Sequence, residues 1–480
     1  MQPGDPAAAV RVLREFRERL YGSLARRGDA LFELADAVLC APGPVTDLAR
    51  LSLAAVFRRG HGALYDGLGA GRVDVGRLRY AIGVLPLPAW GDGRIRLAVD
   101  VSSWLRPEAG TSPGRLLCHV RGKGKNAGQV IAGWPYSLVC ALGPGASSWA
   151  PQLDAVRLGP ADDETEVTAV QLREVVTRLI TAGHWQPGDE NIIIAVDAGY
   201  PVVRLAYLLR DLPAELVGRV RSSQVFYGPP PPRDPHKAGK PPKHGTPVRC
   251  GDPAGRPAPG IRQDGIRAGH GPVQVTAWNR MHQKINSCTS AWQDWPGKDY
   301  PVIEGTLIRV AAGPGGGLEP MWLWASAAAP GDAKLRALWQ AYLRRFDIEH
   351  VFRFLKQALG WTRARLRDPA AADRWTWIII ACYDQLHLAR DLAVLTRLPW
   401  QPPRAGPGGL TPSQARAGYS RLRETLPCLA RMPKPSVPGP GRPRGSRNTT
   451  RAARHPPGKT RLKQHSQRNR KRKQAKRTRR

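Results

Sequence analysis

Two aspartates end apolar runs in which a charged side chain is unfavourable. Leu97-Ala98-Val99-Asp100 and Ile194-Ala195-Val196-Asp197 share one pattern, three apolar residues and then an acid, with Ser or Gly two residues further on. A carboxylate at the end of a buried strand is costly unless it is paired or bound to a cation. The repeated pattern therefore predicts that Asp100 and Asp197 share one site.

A third carboxylate lies on a helix predicted over residues 333–359. Tyr342, Arg345, Glu349 and Lys356 fall within about 60° of one another on a helical wheel, so they form one polar stripe. An apolar stripe that should face the core lies beside it: Ile348, Phe352, Leu355 and Leu359. The alternative is an ordinary amphipathic helix with solvated pairs such as Arg345–Glu349. That alternative does not explain why the polar stripe borders the core face.

The elements that must position these acids follow from the hydrophobic period. The first 90 residues have apolar residues at helical spacing, and from Arg94 the pattern changes to that of strands. The predicted strands cover residues 94–100, 116–120, 130–142, 191–197 and 217–226, and further helices cover 167–182, 205–212 and 370–395. The sequence thus predicts an α/β protein.

Composition divides the chain into five segments. Residues 1–90 form a predicted helical domain with possible DNA binding, and residues 91–227 form the first part of an α/β core. A basic loop and β-rich insertion cover 228–330. Residues 331–395 return to the core and carry the Glu349 helix, and residues 396–480 form a Pro/Gly-rich basic tail predicted to be disordered.

The charge balance indicates a polyanionic partner. The 480 residues contain 73 Lys and Arg and 38 Asp and Glu, a formal net charge of +35. Residues 431–480 hold 19 of the basic residues and no acid, yet the remaining chain is still basic. DNA or RNA is the usual partner of such a chain. An anionic membrane surface is the alternative, but the tail has no apolar face to insert.

Other classes are disfavoured by what the sequence lacks. We expect no membrane span, because no run of about 18 apolar residues occurs. The N-terminus has no basic and apolar pattern typical of a secretory signal. Seven scattered cysteines without a C-x-x-C pair are typical of reduced thiols, so we expect a cytoplasmic, nucleoid-associated protein.

The spacing Tyr342-x2-Arg345-x3-Glu349-x6-Lys356 resembles the signature of bacterial insertion-sequence transposases of the DDE superfamily endonuclease type. The resemblance covers about residues 94–395, and Asp100, Asp197 and Glu349 occur in the family's order. It implies an RNase H-like fold, a mixed five-stranded sheet flanked by helices and interrupted by a β-rich insertion.

The resemblance also implies a reaction. Asp100, Asp197 and Glu349 would be the catalytic residues and the ligands of two Mg²⁺ ions, with Mn²⁺ possible. Tyr342, Arg345 and Lys356 would bind DNA phosphates at the ends of a mobile element. The enzyme would bind inverted repeats in double-stranded DNA, cleave there and join the 3′-hydroxyl ends to target DNA, working as a homodimer or higher assembly.

Two motifs lie in the basic tail. Arg442 and Arg444, in Gly441-Arg442-Pro443-Arg444-Gly445, resemble the part of an AT-hook that enters the minor groove, with non-specific phosphate contact as the alternative. Residues 453–460 fit a relaxed phosphate-loop pattern, but no strand precedes it, so we expect no nucleotide cofactor.

Two alternatives to the transposase hypothesis stay open. A transposase-derived DNA-binding protein without catalysis would use its basic tail, although all three acids are present. An RNase H-like structure-specific endonuclease would cut without strand transfer, but the stripe around Glu349 argues against it.

Overall fold

The computed structural model describes residues 6–458, except 122–127, 146–148, 234–235, 237–238, 253–254, 268–270, 287–289, 293–294, 296, 298, 314–319, 394–409, 436–440, 442 and 448. The N-terminal part is helical, as predicted: α1 (Pro6–Ser23), α2 (Gly28–Cys40), α3 (Leu48–Leu51), α4 (His61–Ala70) and α5 (Val75–Gly83). Two short antiparallel strands lie between these helices, β1 (Leu24–Arg26) and β2 (Arg72–Val73).

The strands that follow number twelve in the described residues. They are β3 (Arg96–Leu105), β4 (Leu116–Arg121), β5 (Gly128–Ala141), β6 (Gln152–Arg157), β7 (Ile192–Val196), β8 (Ala214–Val220), β9 (Val225–Tyr227), β10 (Pro247–Arg249), β11 (Ile261–Arg267), β12 (Gly271–Met281), β13 (Gly305–Ala312) and β14 (Met321–Ala325). Except for β9 and β10, which pair only with each other, they form one mixed sheet.

The described part of this sheet has ten strands where the prediction gave five, and four of the ten, β11 to β14, belong to the predicted insertion. Its order is β11-β12-β13-β14-β8-β7-β3-β5-β4, and β6 pairs with β5 as well. The strands of the insertion join the central sheet because β14 pairs with β8, with Trp322 opposite Val220. This pairing covers a sheet edge that would otherwise expose unpaired backbone groups.

Six further helices and one 3₁₀ turn (Ser290–Trp292) complete the described structure. The helices are α6 (Glu164–Thr181), α7 (Val202–Leu208), α8 (Asp332–Arg344), α9 (Asp347–Gln357), α10 (Pro369–Leu388) and α11 (Pro412–Glu424). Both faces of the sheet are covered, as a continuously apolar strand such as β7 requires. Ile193 and Ala195 of β7 pack in the cluster that includes α8, whereas Ile192, Ile194 and Val196 pack in the cluster that includes α9.

The helix predicted over residues 333–359 is broken at Arg345 and Phe346. At the junction, Ile348 N bonds to Arg345 O and Glu349 N to Phe346 O, both over 3.1 Å, so the hydrogen bonds span three residues. On either side of the break, α8 packs in the core cluster on one face of the sheet and α9 in the cluster on the other. The prediction of one continuous helix is therefore wrong, and the polar stripe is divided, with Tyr342 on α8 and Glu349 and Lys356 on α9. The predicted apolar stripe is buried.

Several strand predictions also need correction. Asp100 lies inside β3, which continues to Leu105, and not at its end. Residues 217–226 form two strands with a turn between them. The strand β6 was not predicted at all, because Gln152–Arg157 contains polar residues that are buried against distant partners.

The basic tail is not wholly disordered. Within residues 396–480, α11 packs into the helical part of the molecule through a buried network. Asp36 of α2 accepts from Arg17 of α1 and from Arg423 of α11, and Tyr419 of α11 donates to Gln385 of α10. The prediction failed because the sequence of α11 is basic, and its buried arginines find their partners on other helices.

Candidate active site

The strands β3 and β7 bring the two aspartates together. They run parallel, with Val99 opposite Val196, and an aspartate follows each of these two valines in the chain. Beyond this pair β7 ends, while β3 continues alongside β5 with Asp100 opposite Leu138. The chain thus places Asp100 and Asp197 side by side where β7 ends.

Arg345 lies between all three predicted carboxylates. Its Nη1 donates to Oδ2 of Asp100 over 2.9 Å, and its Nη2 donates to Oε1 of Glu349 over 3.3 Å. The same Nη2 is 3.2 Å from Oδ1 of Asp197. The structure therefore gathers the three acids around one guanidinium group, supplied by the break between α8 and α9.

The centre of this site is more buried than its rim. The Arg345 side chain is 3% exposed, whereas those of Asp100, Asp197 and Glu349 are 19%, 29% and 49% exposed. Glu349 forms the solvent-facing side, and Asp100 lies deepest of the three acids.

Burial and charge shift the pKa values at the centre. Burial raises the pKa of Asp100 to about 6, although Arg345 lowers it, and the negative charge of Asp197 raises it further. Burial alone would lower the pKa of Arg345, but Asp100 and Asp197 outweigh that effect and keep its pKa above the ordinary value. Arg345 therefore stays charged.

Aromatic rings complete the surroundings of the guanidinium. Its carbon lies 5.0 Å from the centroid of the Phe346 ring and 5.7 Å from that of Tyr342. Such contacts favour a cation over the ring face. The Nε atom of Arg345 is buried and has no hydrogen-bond partner among the described residues.

Of the other two predicted DNA contacts of the signature, Tyr342 lies beside Arg345 and Lys356 lies beside Trp361. Tyr342 is 1% exposed, and burial raises the pKa of its hydroxyl. The Lys356 ammonium lies 5.8 Å from the centroid of the Trp361 ring, and burial lowers its pKa. Among Tyr342, Arg345 and Lys356, the described contacts give only Arg345 ion pairs with the three carboxylates.

The two predicted minor-groove contacts lie in the C-terminal tail. Arg444 is exposed in a turn, and Arg442 lies outside the described residues.

The three acids suit a divalent cation by their chemistry, since Mg²⁺ prefers carboxylate oxygens. In the described part of the chain, no three His, Cys, Asp or Glu side chains cluster closely enough to hold a metal by themselves. The acids meet Arg345 instead, which is a cation, so the place where they converge accepts positive charge.

Exposed arginines beyond α9 were missed by the sequence analysis. Arg363, Arg365 and Arg367 are exposed and alternate with the buried residues Ala364 and Leu366. The alternation of basic and apolar residues after Trp361 was the signal for this row. Arg353, on α9, is exposed as well.

A family model described as DDE superfamily endonuclease matches residues 19–284, more than half of the chain. The chain belongs to this family. The resemblance inferred from the sequence is thereby confirmed at the level of the family. As a DDE superfamily endonuclease, the protein is of the transposase or nuclease type and has DNA as its substrate, and members of the family generally use divalent metal ions.

The matched region of this DDE endonuclease contains Asp100 and Asp197 and ends before Arg345 and Glu349. Among curated proteins, none matches the chain significantly. None of the helices in the described ranges is long and apolar enough to cross a membrane.

Proposed function

We propose that the protein is a DDE transposase in which Asp100, Asp197 and Glu349 are the catalytic residues. The observation that carries this proposal is the convergence of the three side chains on Arg345, from two adjacent strands and a helix far along the chain. The excess of negative charge suits a site that also receives divalent cations.

The strand pairing supports an RNase H-like core within the larger sheet. In the segment β6-β5-β3-β7-β8, the strands β6, β5 and β3 are antiparallel neighbours. On the other side of β3, the strands β7 and β8 run parallel to it. When these five strands are numbered 1 to 5 in chain order, their spatial order across the sheet is 3-2-1-4-5. We assign residues 91–227 and 331–395 to this core, and residues 228–330 to the insertion that extends the sheet.

The three carboxylates would hold the divalent ions, for which we propose two Mg²⁺ or Mn²⁺. When bound, such ions activate the attacking water or 3′-hydroxyl and stabilise the leaving oxygen of the phosphodiester. The protein's own part is to hold Asp100 and Asp197 rigidly through β3 and β7. Glu349 completes the site from the solvent side on α9.

DNA phosphates would contact the exposed basic residues on α9 and in the segment that follows it. The row of Arg363, Arg365 and Arg367 follows α9, and Arg353 lies one helical turn beyond Glu349. Tyr342, Arg345 and Lys356 stay proposed phosphate contacts, and Tyr342 packs against Arg345 in the free protein. In the tail, Arg442 and Arg444 would contact the minor groove or phosphates.

The full reaction would include binding of inverted repeats, cleavage and joining of the 3′-hydroxyl ends to target DNA. Since two ends must be processed together, we propose a homodimer or larger assembly on DNA. The N-terminal helices would take part in DNA binding.

Strand transfer separates this proposal from its alternatives. The purified chain is incubated with Mn²⁺, a supercoiled plasmid and labelled duplexes that carry the repeats flanking its gene and end in a free 3′-hydroxyl. A transposase joins the label to the plasmid. Cleavage of uncut repeat substrates without joining would favour the structure-specific endonuclease, and binding without either reaction would favour the silent DNA-binding protein.

A further inference from the structure

Arg345 contacts one oxygen of each of the three carboxylates that would bind a metal ion. Its two terminal nitrogens contact Oδ2 of Asp100, Oδ1 of Asp197 and Oε1 of Glu349 within 3.3 Å. A Mg²⁺ ion binds carboxylate oxygens at about 2.0–2.1 Å. A guanidinium and a divalent ion in this space would also repel each other. In its present position Arg345 therefore competes with divalent ions for one oxygen of each of the three carboxylates.

We propose that Arg345 is a placeholder cation, which keeps the three carboxylates together until DNA draws its guanidinium away and divalent ions replace it. The inference rests on the proposed function, because it takes these acids as the metal ligands. It assigns to Arg345 a positioning role in the free protein and a phosphate-binding role in the complex.

A placeholder is needed because the acids repel one another. Three carboxylates around one buried point are unfavourable without a counter-charge. Arg345 supplies one positive charge against three negative ones, so it reduces the repulsion and leaves a net negative site. Such a site keeps its shape in the free protein and still attracts cations when the guanidinium leaves.

The location of Arg345 permits the exchange. It lies at the break between α8 and α9, and its Nε makes no hydrogen bond in the described structure. One side of the site is open, since Glu349 is half exposed and the neighbouring Phe346 is 42% exposed. A guanidinium that turns toward this side can bind a phosphate in the bidentate geometry that arginine favours.

The proposal predicts that DNA and divalent ions bind cooperatively. In the free protein, ions must displace Arg345 from three ion pairs, so their affinity is low. When a phosphate holds the guanidinium, that competition ends. The chain would then assemble its metal site only on DNA, which restricts cleavage to the bound substrate.

The test measures Mn²⁺ binding to the full chain by electron paramagnetic resonance, with no cleavage readout. We expect Arg345→Gln to bind Mn²⁺ at least tenfold more tightly than the wild type without DNA. A short duplex should tighten Mn²⁺ binding to the wild type by a similar factor, and should have little effect on the variant. Arg345→Lys keeps the positive charge and should therefore bind Mn²⁺ as the wild type does. This variant keeps the test decisive if Arg345→Gln is poorly folded.

Arg336→Gln is the matched control, because Arg336 is exposed on α8 and its loss changes the net charge equally. It should leave Mn²⁺ affinity unchanged. Equal Mn²⁺ affinity of the wild type and Arg345→Gln without DNA would overturn the placeholder role while leaving the metal site intact. If no protein bound Mn²⁺ even with DNA, the proposed metal ligands and the placeholder would both be wrong.

Discussion

Arg345 donates from Nη1 to Oδ2 of Asp100 over 2.9 Å and thereby joins the break between α8 and α9 to the middle of β3. The two residues are 245 positions apart in the sequence. The contact connects the parts of the fold that supply the three acids, since Glu349 lies on α9 just after Arg345 and Asp197 follows β7, the strand beside β3. The site is thus held together by a side chain that is not itself an acid.

Loss of this arginine should destabilise the free protein. We expect Arg345→Gln to lower the free energy of unfolding by about 1–3 kcal/mol in the presence of EDTA, because Asp100 and its neighbours lose their counter-charge. The loss is smaller than for a fully buried pair, since Asp197 and Glu349 are partly exposed. Urea denaturation measures it, with Arg336→Gln expected to remain within about 0.5 kcal/mol of the wild type.

A second prediction concerns the helix α11. Asp36 is 1% exposed and pairs with Arg423 over 2.6 Å and Arg17 over 2.8 Å. Arg423→Met should cost about 2 kcal/mol of stability, because Asp36 then keeps only one of its two cationic partners. Arg421→Met is the control on the same helix, since Arg421 is exposed. Equal stability of the two variants would show that α11 is not held by this network.

The arginine row should carry part of the DNA affinity. We expect Arg363→Gln/Arg365→Gln to weaken binding to a non-specific duplex and to reduce the slope of log Kobs against log salt by about 1.8, since each lost phosphate contact removes about 0.9. Fluorescence anisotropy between 50 and 200 mM salt, about the range used for such slopes, gives this value. Arg262→Gln, an exposed change on β11, is the control and should leave the slope unaltered. If the double variant and this control had the same slope, Arg363 and Arg365 would not contact phosphates.

Acid should destabilise the protein through His387. Burial lowers the pKa of His387 to about 3, and the positive charge of Arg390 acts in the same direction. The unfolded chain takes up a proton at about pH 6.5, so this group's contribution is complete above that pH and is lost as the pH falls toward 3. We expect a contribution of about 2 kcal/mol to disappear between pH 6.5 and 5.

The variant His387→Gln isolates this effect. Its free energy of unfolding should fall less steeply below pH 6.5 than that of the wild type, as measured by urea denaturation at a series of pH values. Parallel pH profiles of the two proteins would mean that His387 is not the buried group responsible.

The sequence predicted best what depends on local pattern. The apolar run before Asp197 predicted a buried strand, and β7 is buried throughout. The helical spacing of the residues from Ile348 to Leu359 predicted a core-facing stripe, which is buried. The repeated strand-and-acid pattern predicted that Asp100 and Asp197 share a site. The two aspartates lie beside each other, and Arg345 contacts both of them and Glu349.

What the sequence could not predict depends on distant partners. The strand β6 buries Asp154, whose charge is compensated by Arg79 of α5 and Arg178 of α6. Similarly, neither Gly nor Pro stands at the break between α8 and α9, so the local sequence contains no signal for it. A buried carboxylate within a strand, or a break within a helix, is predictable only when its tertiary partners are known.

The central claim is that Asp100, Asp197 and Glu349 form one metal-dependent site. The most direct measurement is cleavage of DNA that carries the repeats flanking the gene, with Mg²⁺ or Mn²⁺, by the wild type and by Asp197→Asn. The control is Asp264→Asn, an exposed acid-to-amide change on β11. We predict that the wild type and Asp264→Asn cut at the repeat boundary and that Asp197→Asn binds the DNA without cutting it. Cleavage by Asp197→Asn at the wild-type rate would contradict the account.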